Sequence, residues 1–466
     1  MTVARQSLGT LMRLGGAVFC AAWGVAIVLF PFYKGLPIGL VPIALGAVLG
    51  AVVAVFRHRV TSLLMRPSSV PFAVAISAAA FMLRAAAALH FPLEPANDHA
   101  MFYQLAANVA AGQGYTKSTG PTAFFPPGLP LLLAAIFWVV GTSVWVAKAL
   151  GLALSALVVP VSYWFARKVG PEEEARWTTL IVAAFPTLVV YGATIGYESL
   201  LSLLVLGWAV LTQSVARTAS GGPLTAVALG IVNGLAALVK PVALLLPVLS
   251  AMSWIGRLRL KQVVLLSAVS AVVMLAVILP WTLRNKMTLG HPVLISTNGG
   301  FVLYSANHDG SRGIATPVRS LPGEHDEVSR DRIRGQAAVR WILDNPSAFL
   351  QLMVPKAAYG WGTTSSIMSF VSYDRMPPRE EDVWKALLNV GWGAFFLWCA
   401  AAAWSTRVWA RPALTPALLF TLYIFAVHLV YEALSRHHVT LLPVLAVTAA
   451  AWLSRDSRPA SERVHV

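Results

Sequence analysis

Four acidic residues of this chain stand where an acid is costly. Of the 19 Asp and Glu, nearly all fall in the polar stretch within 282–383, in the Glu172-Glu173-Glu174 run or in the tail. Glu94, Asp98, Glu198 and Glu432 remain, each beside the end of an apolar run. A carboxylate kept at a membrane boundary is expensive and usually functional. Near an acceptor hydroxyl it can take the proton as a general base. Asp98 has a structural alternative as the cap of the helix that follows it, and Glu198 as a first-turn acid favoured by the helix dipole. Glu94 and Glu432 read as solvated or paired, Glu432 with Arg436.

Three cations lie in comparable places. Lys240 precedes Pro241 between two short apolar segments, Arg284 ends the run Pro280-Trp281-Thr282-Leu283-Arg284-Asn285, and Arg436 begins the last apolar segment. Arginine suits bidentate contact with phosphate, and lysine suits point-charge contact. The plainer use of each is snorkelling to the headgroup region. His437-His438 and Asp98-His99 do not make a metal site, because adjacent residues on a helix diverge by about 100° and the chain has no Asp-x-Asp pair. No metal and no cofactor is therefore expected. Asn298-Gly299-Gly300 and Gly310 mark turns and lack the spacing of a phosphate loop.

The elements that must position these groups are membrane helices. Hydrophobic residues make up 57% and charged residues 12% of the 466 positions, far from the roughly 25% charged of soluble domains. About a dozen apolar stretches are long enough to cross a hydrocarbon core of roughly 30 Å. They run over 14–33, 38–56, 70–90, 144–166, 177–193, 198–215, 223–239, 241–255, 262–281, 384–404, 412–431 and 437–453. The runs are continuous rather than alternating, which predicts helices and not a barrel. The fold class expected is all-α and polytopic, with about 12 transmembrane helices and further interfacial helices.

Basic residues orient the spans. Arg5 and Arg13, Arg57, Arg59 and Arg66, Arg167, Lys168 and Arg176, Arg257, Arg259 and Lys261, and Arg407 and Arg411 fall on one side, which predicts cytoplasmic termini. The same residues account for much of the +16 net charge without a nucleic-acid partner. Cys20 and Cys399 both lie within spans, so no disulfide framework is expected. The first stretch reads as a retained helix, not a signal peptide. Residues 127–140 are short and open with prolines, so they read as an interfacial or re-entrant helix.

This parity leaves 91–143 and 282–383 as external loops. In the first, Phe102, Leu105, Ala106 and Val109 repeat at i, i+3, i+4 and i+7, the pattern of a helix lying in the membrane surface. The second turns apolar and aromatic from Phe349 to Trp361, a return to the interface. Trp361, Trp384, Trp392 and Trp409 read as interface anchors. The division expected is two additional N-terminal helices over 1–66, a membrane core over 67–281, the external loop 282–383, and C-terminal helices with a cytoplasmic tail over 384–466.

Several motifs together resemble a known family. The run Asn97-Asp98-His99 to Tyr103, Gly112 and Gly114-Tyr115, followed by Phe125-Pro126-Pro127-Gly128-Leu129-Pro130, is similar to the first external loop of GT-C type membrane glycosyltransferases. These include the protein O-mannosyltransferases and the lipid A aminoarabinose transferases. Tyr197-Glu198-Ser199, the Gly234 to Lys240-Pro241 run, Pro280-Trp281 to Arg284-Asn285, Asn298-Gly299-Gly300 to Tyr304 and Asn307, and Arg436-His437-His438 continue the likeness.

The resemblance implies inverting transfer of a sugar from a polyprenyl-phosphate donor to an acceptor hydroxyl or phosphate, outside a bacterial inner membrane. It puts Asp98 at the family's catalytic acid position and Glu198 at a second acidic one. The donor phosphate falls to Lys240, Arg284 and Arg436, and substrate contacts to Tyr103, Tyr197, Asn298, Tyr304 and Asn307. The partners implied are the lipid-linked donor, membrane lipid and an acceptor that is a lipid, a glycan or a protein. The rival expectation is a transporter or flippase for a lipid-linked or anionic solute, which would favour charges at mid-membrane and two related halves.

Overall fold

The computed structural model describes residues 2–33, 40–91, 94–217, 222–314, 316, 318–371 and 376–455. The first helices are α1 (Thr2–Tyr33), α2 (Leu40–Val55), α3 (Arg57–Met65), α4 (Ser69–His90) and α5 (Asn97–Ala110). A two-stranded hairpin, Thr116–Lys117 with Gly120–Pro121, leads to α6 (Gly128–Val140), α7 (Val144–Val169), α8 (Glu172–Ala184), α9 (Pro186–Tyr191), α10 (Glu198–Arg217) and α11 (Pro223–Val239). Then come α12 (Leu246–Trp254), α13 (Leu260–Leu289), α14 (Gly299–Ser305), α15 (Glu327–Asp344), α16 (Pro346–Trp361) and α17 (Met368–Val371). The last three are α18 (Pro378–Ser405), α19 (Thr415–Val430) and α20 (Leu442–Leu453).

The chain is an all-helical, polytopic membrane protein. Among the described residues six helices are long and apolar enough to cross a membrane, within α1, α4, α7, α10, α13 and α18. The α2 and α3 pair, bent by 62°, would make a seventh span if counted as one. Each of the twelve apolar stretches read from the sequence is helical, but several are shorter or broken. Residues 127–140 form the short helix α6.

The breaks have local causes. Pro186 opens α9 and cannot continue the α8 hydrogen-bond ladder, so carbonyls at the α8 end lose their partners. Arg84 of α4, buried, donates to Val182 O at 2.9 Å and Ala183 O at 2.9 Å and fills that gap. Pro241 likewise ends α11 at Lys240, which adopts an extended backbone before a short 3-10 turn over Pro241–Leu245. A second 3-10 turn, Ser435–Leu441, precedes α20.

Close packing depends on small residues. A Cβ at Gly234 of α11 would lie 2.6 Å from Val277 of α13, so the two helices approach only because glycine is there. Aromatic side chains fill the centre. Trp23, Trp361, Trp392 and Trp409 are all buried, and Trp392 stacks on His438 with ring centroids 4.2 Å apart. The reading of Trp361, Trp392 and Trp409 as interface anchors is therefore corrected: α1, α16 and α18 lie together and enclose them. Trp384 is half-buried against the rings of His90 and Phe91. The helices before residue 66 belong to the same core, with Met12, Phe19, Cys20 and Ile43 buried in it.

Candidate functional site

The helix starts and breaks at one end of the bundle converge on a cavity of about 640 Å³, within the usual range for small-molecule sites. Asp98 is the second residue of α5. Asn97 before it has a positive φ of 52° and donates to Ser369 O at 3.0 Å. That turn directs Asp98 away from capping: α5 has no side-chain cap bond, and Asp98 Oδ2 instead accepts from Arg436 Nη1 at 2.6 Å. Arg436 comes from the Ser435–Leu441 turn and lies over the Phe370 ring, whose other neighbour is His99 at 4.9 Å. Burial pushes the His99 imidazole down to about 3, so it stands neutral.

Tyr197 and Glu198 open α10 just after a glycine. A Cβ at Gly196 would strike Glu198 Oε2, so any other residue there would displace this buried carboxylate. Among the described residues Glu198 Oε2 has no hydrogen-bond partner, and neither has Arg436 Nε. Lys240, freed by the Pro241 break, donates to Tyr197 Oη at 3.0 Å and lies 2.8 Å from His437 Nδ1. An ammonium is donor-only, so Nδ1 of His437 is the acceptor. His437 stacks on His428 with ring centroids 4.0 Å apart. Burial, with the Arg436 charge next in weight, pushes the Lys240 ammonium down to about 7. Burial also raises the Glu432 carboxyl above its ordinary value.

The cavity joins charged and apolar walls. Asp98, Tyr197, Lys240, Asn298, Glu432 and Arg436 line it together with the hydrocarbon side chains of Leu129, Val242, Leu244 and Leu245. Leu245 is 46% exposed. Among the described residues no group of three or more His, Cys, Asp or Glu is arranged to hold a metal ion.

Five residues assigned from sequence do not line this cavity. Glu198 is buried behind its wall, close enough to Arg436 for their charges to interact. Arg284 donates to Thr122 O at 2.7 Å and Tyr115 O at 2.8 Å, and stacks over Trp281. It clamps the hairpin loop to α13. Asn307 is buried, donates to Leu303 O and Val430 O, and accepts from Lys356 at 2.7 Å. Tyr103 packs its ring on Phe137 and Tyr304 on His308. The pair expected between Glu432 and Arg436 is replaced by the bond from Arg436 to Asp98.

Sequence reasoning passed over two contributors. The sequence weighs His437 only with His438 as a metal pair; His437 lines the cavity beside Arg436, and His438 does not. Glu327 accepts from Thr122 Oγ1 at 2.5 Å, Ala123 N at 2.7 Å and Thr297 Oγ1 at 2.5 Å. It thereby ties the two rim segments that carry Phe125 and Asn298. The only signal for it was the helix-capping pattern of Asp326 and Ser329 around it.

No family model matches the chain, and no curated protein matches it. Solved structures do. The archaeal oligosaccharyltransferase AglB from Archaeoglobus fulgidus, in complex with an inhibitory peptide and a dolichol-phosphate, is 13% identical with a TM-score of 0.49, over 82% of this chain and 50% of that one. The same organism's oligosaccharyltransferase in the apo form gives 14% identity and a TM-score of 0.48, over 81% of this chain and 50% of that one. ArnT from Cupriavidus metallidurans, bound to undecaprenyl phosphate, is 15% identical with a TM-score of 0.40, over 83% of this chain and 77% of that one. The chain spans half the length of the oligosaccharyltransferases. It is thus similar to an oligosaccharyltransferase and to ArnT, and at identities this low the similarity carries no activity over.

Proposed function

We propose that this chain is an inverting glycosyltransferase that moves a sugar from a polyprenyl-phosphate donor to an acceptor hydroxyl at the outer face of a bacterial inner membrane. The observation that carries the reading is the cavity itself: a carboxylate fixed by an arginine, in one cavity with Lys240 and with the hydrocarbon side chains of Leu129, Val242, Leu244 and Leu245. A prenyl tail fits against these hydrocarbon side chains, and its phosphate would meet Lys240 and Arg436. Asp98 takes the proton of the acceptor hydroxyl as that oxygen attacks the anomeric carbon. The bond from that carbon to the phosphate oxygen breaks on the opposite face, which inverts the centre. The lipid phosphate leaves with its charge held by the two cations. Glu198, buried behind the cavity wall, acts on the site through its charge interaction with Arg436.

In this scheme the cations carry the leaving charge, and a divalent ion has no assigned part. The rival reading, a transporter or flippase, draws on the helix broken at Lys240 and Pro241. One assay separates them: purified protein in liposomes is given a radiolabelled polyprenyl-phosphate sugar and an acceptor, with and without EDTA. Labelled acceptor in both conditions supports the transferase. Donor crossing the bilayer with no labelled acceptor would replace it with the transporter, and loss of transfer in EDTA would remove the metal-free scheme.

A further inference from the structure

Helix α15 has two faces of different character. Its inward face carries Glu327, Asp331, Arg334 and Ala338, at i, i+4, i+7 and i+11. Glu327 ties the rim, Asp331 accepts from Gly300 N at 2.6 Å, and Arg334 pairs with Glu324 at 2.6 Å. Its outward face carries Arg332, Gln336, Val339, Arg340 and Leu343, at i, i+4, i+7, i+8 and i+11, all exposed. Val339 is 49% and Leu343 73% exposed, and the apolar stripe continues on α16 through Leu350 and Val354.

Charge in this region is unbalanced. Five acids are spent on the protein itself: Glu324 on Arg334, Asp326 on the cap at Ser329, Glu327 on the rim, Asp331 on Gly300 and Asp309 on Trp341, which leaves Asp344, exposed one turn from Arg340, as the one acid of α15 against the exposed arginines. Arg312, Arg319, Arg330, Arg332 and Arg340 are exposed, and their guanidinium groups make no hydrogen bond or ion pair with a described residue. A face that joins uncompensated arginines to large exposed aliphatic side chains suits neither water nor hydrocarbon alone. It suits the boundary of an anionic membrane, where arginine meets headgroup phosphate and the aliphatic residues dip below it.

We propose that the outward face of α15 is a docking surface for anionic phospholipid headgroups of the leaflet at this end of the bundle. A soluble polyanion would use the arginines and leave Val339 and Leu343 in water, so the lipid is the better match. Because the inward face of the same helix holds Asn298 to Gly300, seating α15 on lipid also fixes the cavity rim. The inference rests on the chain spanning a membrane, and not on the transferase reading.

The test is hydrogen exchange over residues 327–344 of the full-length protein, in nanodiscs of phosphatidylcholine alone or with phosphatidylglycerol added. Exchange should slow several-fold in the anionic discs, and the slowing should vanish as salt is raised. It should also vanish in the Arg332→Gln, Arg340→Gln double variant. Equal exchange of the wild-type protein in both discs, or slowing that survives salt and the double variant, would overturn the proposal. Polyphosphate protecting α15 equally in phosphatidylcholine discs would assign the surface to a soluble anion and also overturn it. The wild-type comparison decides the matter even where the double variant does not fold.

Discussion

Arg436 takes Oδ2 of Asp98 and leaves Oδ1 with no donor among the described residues. In the proposed scheme Oδ1 is the atom that receives the acceptor proton. Two consequences belong to single residues. Alanine at 196 would place its Cβ against Glu198 Oε2, the movable end of a side chain. Gly196→Ala should therefore change thermal stability by no more than about 1 kcal/mol, yet lower transfer strongly; full activity would show that the Glu198 position does not matter. Lys240 titrates near 7, while a phosphodiester donor keeps one fixed charge. The ammonium is present below that pH and lost above it, so donor affinity should fall as pH rises from about 6 to about 8. Lys240→Arg should flatten that profile in a lipid-binding titration. Sequence spacing was informative here where a residue sat beside a helix break. Asp98, Tyr197, Lys240, Asn298 and Arg436 are brought together. Spacing says nothing of depth or of competing partners: Arg284 donates to loop carbonyls, and Asn307 to carbonyls of α14 and of the α19 end.

Among the elements, the breaks matter more than the spans. Prolines at 186 and 241 mark where helices end; the sequence shows a boundary at Pro241, whereas the break at Pro186 falls inside the single span expected over 177–193. What satisfies the freed carbonyls was not visible, because the partner lies far along the chain: Arg84 reaches Ala183 from 99 positions away. Arg84→Met should leave two buried carbonyls unpaired at a cost of about 1–3 kcal/mol each. The expected outcome is a lower melting temperature in detergent for this variant than for a Met substitution at exposed Phe81. The short helices α11, α12 and α20 were equally legible as apolar runs, whereas their 3-10 entries at Pro241 and Ser435 were not, since hydrophobicity does not report turn geometry.

For the whole molecule, the charge bias along the sequence predicts an orientation with the cavity outside. Glu198 opens α10 at the cavity end, and the basic loops 257–261 and 407–411 follow helices that run away from it. A fluorescent reporter fused after residue 466 should fold in the cytoplasm, and a phosphatase inserted near Gly323 should be active outside. The reverse pair would invert the topology. The core was the least legible level: a tryptophan at a headgroup and a tryptophan between three helices look alike in sequence, and Trp361, Trp392 and Trp409 proved to be the second kind.

The account stands most directly on Asp98. Turnover of a radiolabelled polyprenyl-phosphate sugar should be measured in detergent for the wild-type protein and for Asp98→Asn, with donor binding followed in parallel. The expected result is a fall in kcat of about 10²–10⁴-fold with donor binding retained. Near-normal turnover by a folded Asp98→Asn protein would contradict it.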